Sequence, residues 1–159
     1  MSTHAAAAQI IAADCLSFRA RRVSRAITRM YDDALRPLGI KATQLTLVTA
    51  IAMCGEGGAG MSRLADVLAM DLTTLSRNLR PLERAGYIRL APGEGDRRLR
   101  VAFLAADGRR LLEDALPRWR YAHARVVATL GEEAAAELRD RFDAVAAAAA
   151  RAALPARSA

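Results

Sequence analysis

The 159-residue sequence is poor in aromatic residues, at 4%, and holds one lysine, Lys41, and two cysteines, Cys15 and Cys54. Few aromatics beside abundant alanine favour helix over sheet. Two isolated thiols exclude a disulfide scaffold, and neither they nor His4 and His123 have the spacing of metal ligands, so no metal and a reducing cytoplasm are expected. No stretch approaches the roughly 20 apolar residues of a membrane span. The longest uncharged run near the start, Ala5 to Ala13, carries Gln9 and has no basic region before it, which argues against a leader.

Enzyme constellations are missing as well. Residues Gly55 to Gly60 are glycine-rich but lack the Lys-Ser/Thr of a phosphate loop, and no nucleophile–base pair or paired carboxylates stand out. The sequence therefore predicts a non-enzyme without cofactor.

What is present is a globular composition, 53% hydrophobic and 26% charged, of a length that suits one compact unit. The formal charge of +7 and a pI near 10.6 favour a polyanionic partner, nucleic acid first. Because an arginine-rich coding bias would give the same total, the placement of the charge carries more weight than its sum.

Leu16, Val23, Ile27, Met30, Tyr31 and Leu35 recur at helical spacing and predict a long amphipathic helix from about Ala12, ended by Pro37 and Gly39. A second helix runs from Thr43, as cap, to Cys54. Ser62 is expected to cap a short third helix, Arg63 to Ala69, with Leu64, Val67 and Leu68 inward. Asp71 caps a fourth, Leu72 to Ala85, ended by Gly86. Two short helices about two residues apart spell helix-turn-helix. The alternating segments around Tyr87–Leu90 and Leu99–Phe103 predict a β-hairpin, and two further helices follow, from about Ala106, with Pro117 expected to bend the first, and to about Ala153. The fold class is mainly α (α+β), a winged helix-turn-helix of six helices and a hairpin wing.

On the fourth helix Leu72, Leu75, Leu79 and Leu82 form one stripe, with Thr73, Thr74, Arg77 and Arg80 opposite. A small, polar, cationic face of this kind can enter a major groove, where arginine reads guanine bidentately. Ser62 and Arg63 stand where a phosphate can meet a helix N-terminus, and Asp96, Arg97 and Arg98 lie at the wing tip, within reach of a minor groove. Taken singly, a solvated helix face explains the fourth helix equally well and a plain charged turn is the commoner meaning of Asp-Arg-Arg; the context of the preceding short helix shifts the balance toward DNA.

The segments Leu64-Ala65-Asp66, Met70 to Arg77, Leu82 to Ile88 and Gly95-Asp96-Arg97-Arg98, with Arg29-Met30-Tyr31, Pro37-Leu38-Gly39 and Asp107 to Leu111, resemble the MarR family of bacterial transcriptional regulators over about nine tenths of the chain. The resemblance implies an obligate homodimer in which residues 12–37 and 106–153 supply the dimerisation helices and residues 43–105 the winged DNA-binding region. It makes Ser62, Thr73, Thr74, Ser76, Arg77 and Arg80 the major-groove and phosphate set and Arg98 a wing-tip arginine oriented by Asp96. The expected target is a pseudo-palindromic duplex with half-sites about 34 Å apart, bound as a repressor.

The resemblance also implies release by a small aromatic or phenolic anion, or by oxidation of a thiol. For a ligand the candidates are Cys15, Phe18, Arg19 and Arg22 on the first helix with Trp119 and His123 on the fifth, apolar walls with a cationic anchor. Cys15 lies in the region where the hydroperoxide-sensing branch keeps its cysteine, although alignment on Phe18 and Tyr31 places Ser17 at that position. A winged domain that docks a protein partner is the alternative of another class.

Overall fold

The computed structural model describes residues 3–93 and 99–153. Helices α1 (Thr3–Asp14), α2 (Leu16–Leu35) and α3 (Ala42–Ala52) are followed by strand β1 (Ala59–Gly60) and helices α4 (Met61–Val67) and α5 (Leu72–Arg84). Strands β2 (Ile88–Pro92) and β3 (Arg100–Leu104) and helices α6 (Ala106–Leu130) and α7 (Glu132–Ala153) complete the described residues.

Among the described residues seven helices replace the six expected, because α1 forms upstream of the expected start near Ala12 and Cys15 separates it from α2. That residue leaves the helical region and caps α2, its Sγ accepting the Phe18 N–H at 3.4 Å. The Arg19 guanidinium turns back and donates to the Ala13 carbonyl, satisfying an end group of α1. Helix α3 starts before Thr43: Lys41 holds the cap position, its N–H donating to Gln44 Oε1 at 2.8 Å, while Asp32 accepts the Ala42 N–H at 2.7 Å.

The expected hairpin gains a third strand. Residues Ala59 and Gly60 pair antiparallel with Ala102 and Val101, giving the order β1-β3-β2. Gly60, extended by this pairing, is also the N-cap of α4, so Ser62 lies inside the first turn and does not cap it. Helix α6 continues through Pro117 to Leu130.

One core joins these elements. Leu35, Leu47, Val48 and Ile51 pack with Leu64, with Leu75, Leu79 and Leu82, and with Ile88, Ala102, Leu111 and Ala115. Two leucine-stripe expectations fail: Leu72 is 50% exposed and Val67 69%. Each stands at an end of its helix, and the core contact in that stretch is made instead by Leu68 and Met70. The N-terminus of α6 abuts the residue before β2 so closely that a Cβ at Gly108 would overlap the Tyr87 carbonyl oxygen. In contrast, α1 buries nothing, and α7 exposes Phe142 and Val145.

Candidate nucleic-acid interface and effector cavity

The turn between α4 and α5 sets the two helices of the motif. The chain leaves α4 through Ala69 in the left-handed region, φ +50°, with Met70 N–H donating to the Ala65 carbonyl at 2.8 Å and Ala69 N–H to Asp66 at 3.2 Å. This is the double closure usually made with glycine. Asp71 then opens α5: its carboxylate accepts the Thr74 N–H at 2.8 Å and the Thr74 hydroxyl at 2.7 Å. Those bonds, the hydroxyl's first, hold the Asp71 carboxyl below its ordinary pKa.

The other end of α5 is closed by Gly86 at φ +76°, with Tyr87 N–H donating to Leu82 and Gly86 N–H to Glu83, both at 3.0 Å. Glu83 has a further role that its charge alone did not reveal. Its carboxylate accepts the Leu90 N–H at 3.2 Å, tying α5 to the outer edge of β2.

With Leu75, Leu79 and Leu82 fully buried, the opposite face of α5 is set by spacing. Thr73, Arg77, Arg80 and Arg84, at intervals of four, three and four, are exposed there, and the three arginines form no ion pair among the described residues. Thr74 and Ser76 sit at the flanks, half-buried, and the Thr74 hydroxyl is occupied by Asp71. Ser62 and Arg63 are exposed on the first turn of α4. Arg84 was not among the expected contacts, although its spacing of four from Arg80 is legible in the sequence.

Strands β2 and β3 run in register from Ile88↔Leu104 to Pro92↔Arg100, and Gly93 N–H donates to the Leu99 carbonyl at 2.8 Å. Arg89 lies directly across from Phe103 and places its guanidinium 4.4 Å from the ring centroid. Asp96, Arg97 and Arg98 lie outside the described residues.

A second feature opens behind the motif. A cavity of about 480 Å³ is walled by Ile27 and Tyr31 of α2, Leu45 and Thr49 of α3, Val67 of α4 and Trp119 of α6. A neighbouring crevice of about 520 Å³ shares Leu45, Thr49 and Trp119, so the indole lines both. Trp119 stacks on His123, centroids 4.8 Å apart and planes 8° from parallel, and His123 Nδ1 lies 3.1 Å from the Tyr31 hydroxyl. Burial pushes the Tyr31 pKa up, so the phenol keeps its proton and can donate it to Nδ1.

Trp119 and His123 are thus brought together, while Cys15, Phe18, Arg19 and Arg22 are not beside them. From Cys15 to Tyr31 is about 24 Å along a helix. Arg22 lies over the Phe18 ring at 6.0 Å, and Arg19 lines a different groove, about 530 Å³, between α2, α6 and α7. The walls of that groove are apolar almost throughout, from Leu16 and Val23 to Leu130 and Phe142. Among the described residues no group of three or more His, Cys, Asp or Glu is placed to hold a metal ion. Among the described residues no helix is long and apolar enough to cross a membrane.

No family model matches the sequence, and neither does any curated protein. Solved structures do. The transcriptional regulator MosR of M. tuberculosis, in a crystal structure with DNA, is 33% identical over 89% of this chain and 100% of that one, with a TM-score of 0.78. A MarR variant from E. coli, in complex with operator DNA, is 23% identical over 85% of this chain and 96% of that one, TM-score 0.75.

The chain belongs to the MarR family.

MarR proteins are transcriptional regulators, and this one is not an enzyme. CouR from Rhodococcus jostii RHA1, in a structure bound to p-coumaroyl-CoA, shares the MarR fold at 21% identity over 84% of this chain and 93% of that one, TM-score 0.71.

Proposed function

We propose that the protein is a cytoplasmic transcriptional repressor that binds an inverted-repeat duplex as a homodimer, with α5 in the major groove and the wing in the flanking minor groove. The observation that carries this reading is the exposed row Thr73, Arg77, Arg80 and Arg84, backed by three buried leucines. The 33% identity to MosR, a regulator crystallised with DNA, supports it. Ser62, Arg63, Thr74 and Ser76 complete the contact set at phosphates, and Asp96, Arg97 and Arg98 form the wing tip.

Dimerisation follows from what the isolated chain leaves uncovered. An apolar groove between α2, α6 and α7, with exposed Leu16, Phe142 and Val145 on its walls, and the exposed Ile10 and Ile11 of α1 are apolar surface that a partner can cover. A second copy laid two-fold against it buries these side chains and sets two α5 helices side by side. Residues 12–37 and 106–153 then serve as the dimerisation segments.

For the signal, the Tyr31–Trp119 cavity is read as the effector site, and its occupant as a small aromatic or phenolic compound, carboxylates included. Val67 and Trp119 share its wall, so a ligand there presses on α4, one residue cluster away from the reading helix. A thiol switch at Cys15 is the second reading: the Sγ accepts the Phe18 N–H at the cap of α2, and its oxidation would alter a helix start within the dimerisation region. Fluorescence anisotropy of a labelled duplex at rising salt tests the main reading. The affinity is expected to fall steeply, in proportion to the phosphates contacted; an affinity indifferent to salt rejects DNA binding in favour of protein docking.

A further inference from the structure

Leu72 is the member of the α5 leucine series that the core does not take. Leu75, Leu79 and Leu82 are fully buried, whereas Leu72 stays half exposed at the first position of the helix, beside the Asp71 cap. It lines none of the cavities described above. The cap holds this first turn rigid through two bonds to Thr74, so the leucine is presented in a fixed place next to Thr73.

We propose that Leu72 is a base-reading residue, packing its side chain against the 5-methyl group of a thymine in the major groove; the inference rests on the DNA-binding reading above. Residues at the N-terminus of a recognition helix are the ones that reach base edges. The thymine methyl is the apolar mark that the groove offers, distinguishable from every other base by contact alone. A protein-docking patch spans several hundred Å² of apolar surface. Its neighbours along the chain, Asp71 and Thr73, and one turn on, Ser76, are polar, which suits a single methyl group better than a protein face. Arg77 then reads by hydrogen bonds and Leu72 by shape.

The test begins with duplexes selected from a random pool by the wild-type protein. Each thymine of the selected site is replaced in turn by uracil, which removes the methyl and keeps the pairing. Wild type is expected to lose affinity about fourfold at one thymine per half-site, the worth of one buried methyl group. Leu72→Ala and Leu72→Gln should bind more weakly than wild type and be indifferent to that replacement, while Arg77→Ala remains sensitive to it. The proposal is overturned if no thymine is sensitive, or if the Leu72 variants lose the same factor as wild type. If the pool yields no enriched sequence and binding does not weaken with salt, the regulator reading itself fails and the Leu72 assignment with it.

Discussion

Tyr31 of α2 and His123 of α6 meet across the helix pair, phenol oxygen to Nδ1 at 3.1 Å, with the Trp119 indole stacked on a face of the imidazole. Tyr31 and Trp119 line the cavity, and His123 braces both from behind. Tyr31→Phe removes the hydroxyl and leaves half-buried His123 without this partner. The loss is expected to cost about 0.5–1.5 kcal/mol, measured by urea unfolding. Trp119 is the chain's one tryptophan, so its emission reports the same site. His123→Ala should change that emission, and an unchanged spectrum would contradict the stacking.

The alanine at the turn of the motif predicts a stabilising substitution. Ala69 adopts φ +50°, where an L-residue is strained by about 1–2 kcal/mol and glycine is not. Glycine's greater freedom in the unfolded chain cancels about 0.4–1 kcal/mol of that gain. Ala69→Gly is therefore expected to raise stability by up to about 1.5 kcal/mol, and a lowered melting midpoint would refute the turn geometry.

At Gly108 the opposite holds. A methyl group there meets the Tyr87 carbonyl, which is backbone and cannot turn aside. Gly108→Ala should destabilise the fold by about 1–3 kcal/mol, the ordinary cost of overpacking, read from denaturant midpoints.

The Asp71 cap predicts a pH dependence. Its carboxyl is held below the ordinary value of 3.8 by the Thr74 hydroxyl and then the Thr74 N–H. A lowered folded-state pKa means that the cap's contribution is fully present above the unfolded value and is lost as pH falls through the folded one. Near neutral pH, Asp71→Asn should be less stable than wild type. That gap should close below about pH 4, and a gap independent of pH would show that the charge of Asp71 does not matter.

Much of the reading head is legible before any coordinates. The spacing of Leu75, Leu79 and Leu82, the Asp71 cap and Gly86 each specify α5 locally, and all three levels agree. The misses have a common cause, since periodicity reports that a helix exists but not where its neighbours stop. Leu72 continues the stripe in sequence, yet the first turn is only half covered. Ser62 is a good cap by type, but the pairing of Ala59–Gly60 with β3 fixes the start of α4 two residues earlier. Cys15 carries no breaking signal of its own, and the closure of α1 depends on Arg19 folding back. The expected ligand set fails to assemble within the chain for a similar reason: one amphipathic pattern spans two stations about 24 Å apart, and spacing does not say which one faces the cavity.

The row of side chains on the outer face of α5 is the claim on which the rest depends, and Arg77 is its most direct probe. On a duplex selected by the wild-type protein, Arg77→Ala is expected to lose at least about tenfold in affinity, within the 1–3 kcal/mol of a bidentate guanine contact, while its melting midpoint stays at the wild-type value. An Arg77→Ala protein that binds the selected duplex as tightly as wild type, with the same preference over a scrambled one, would contradict the account.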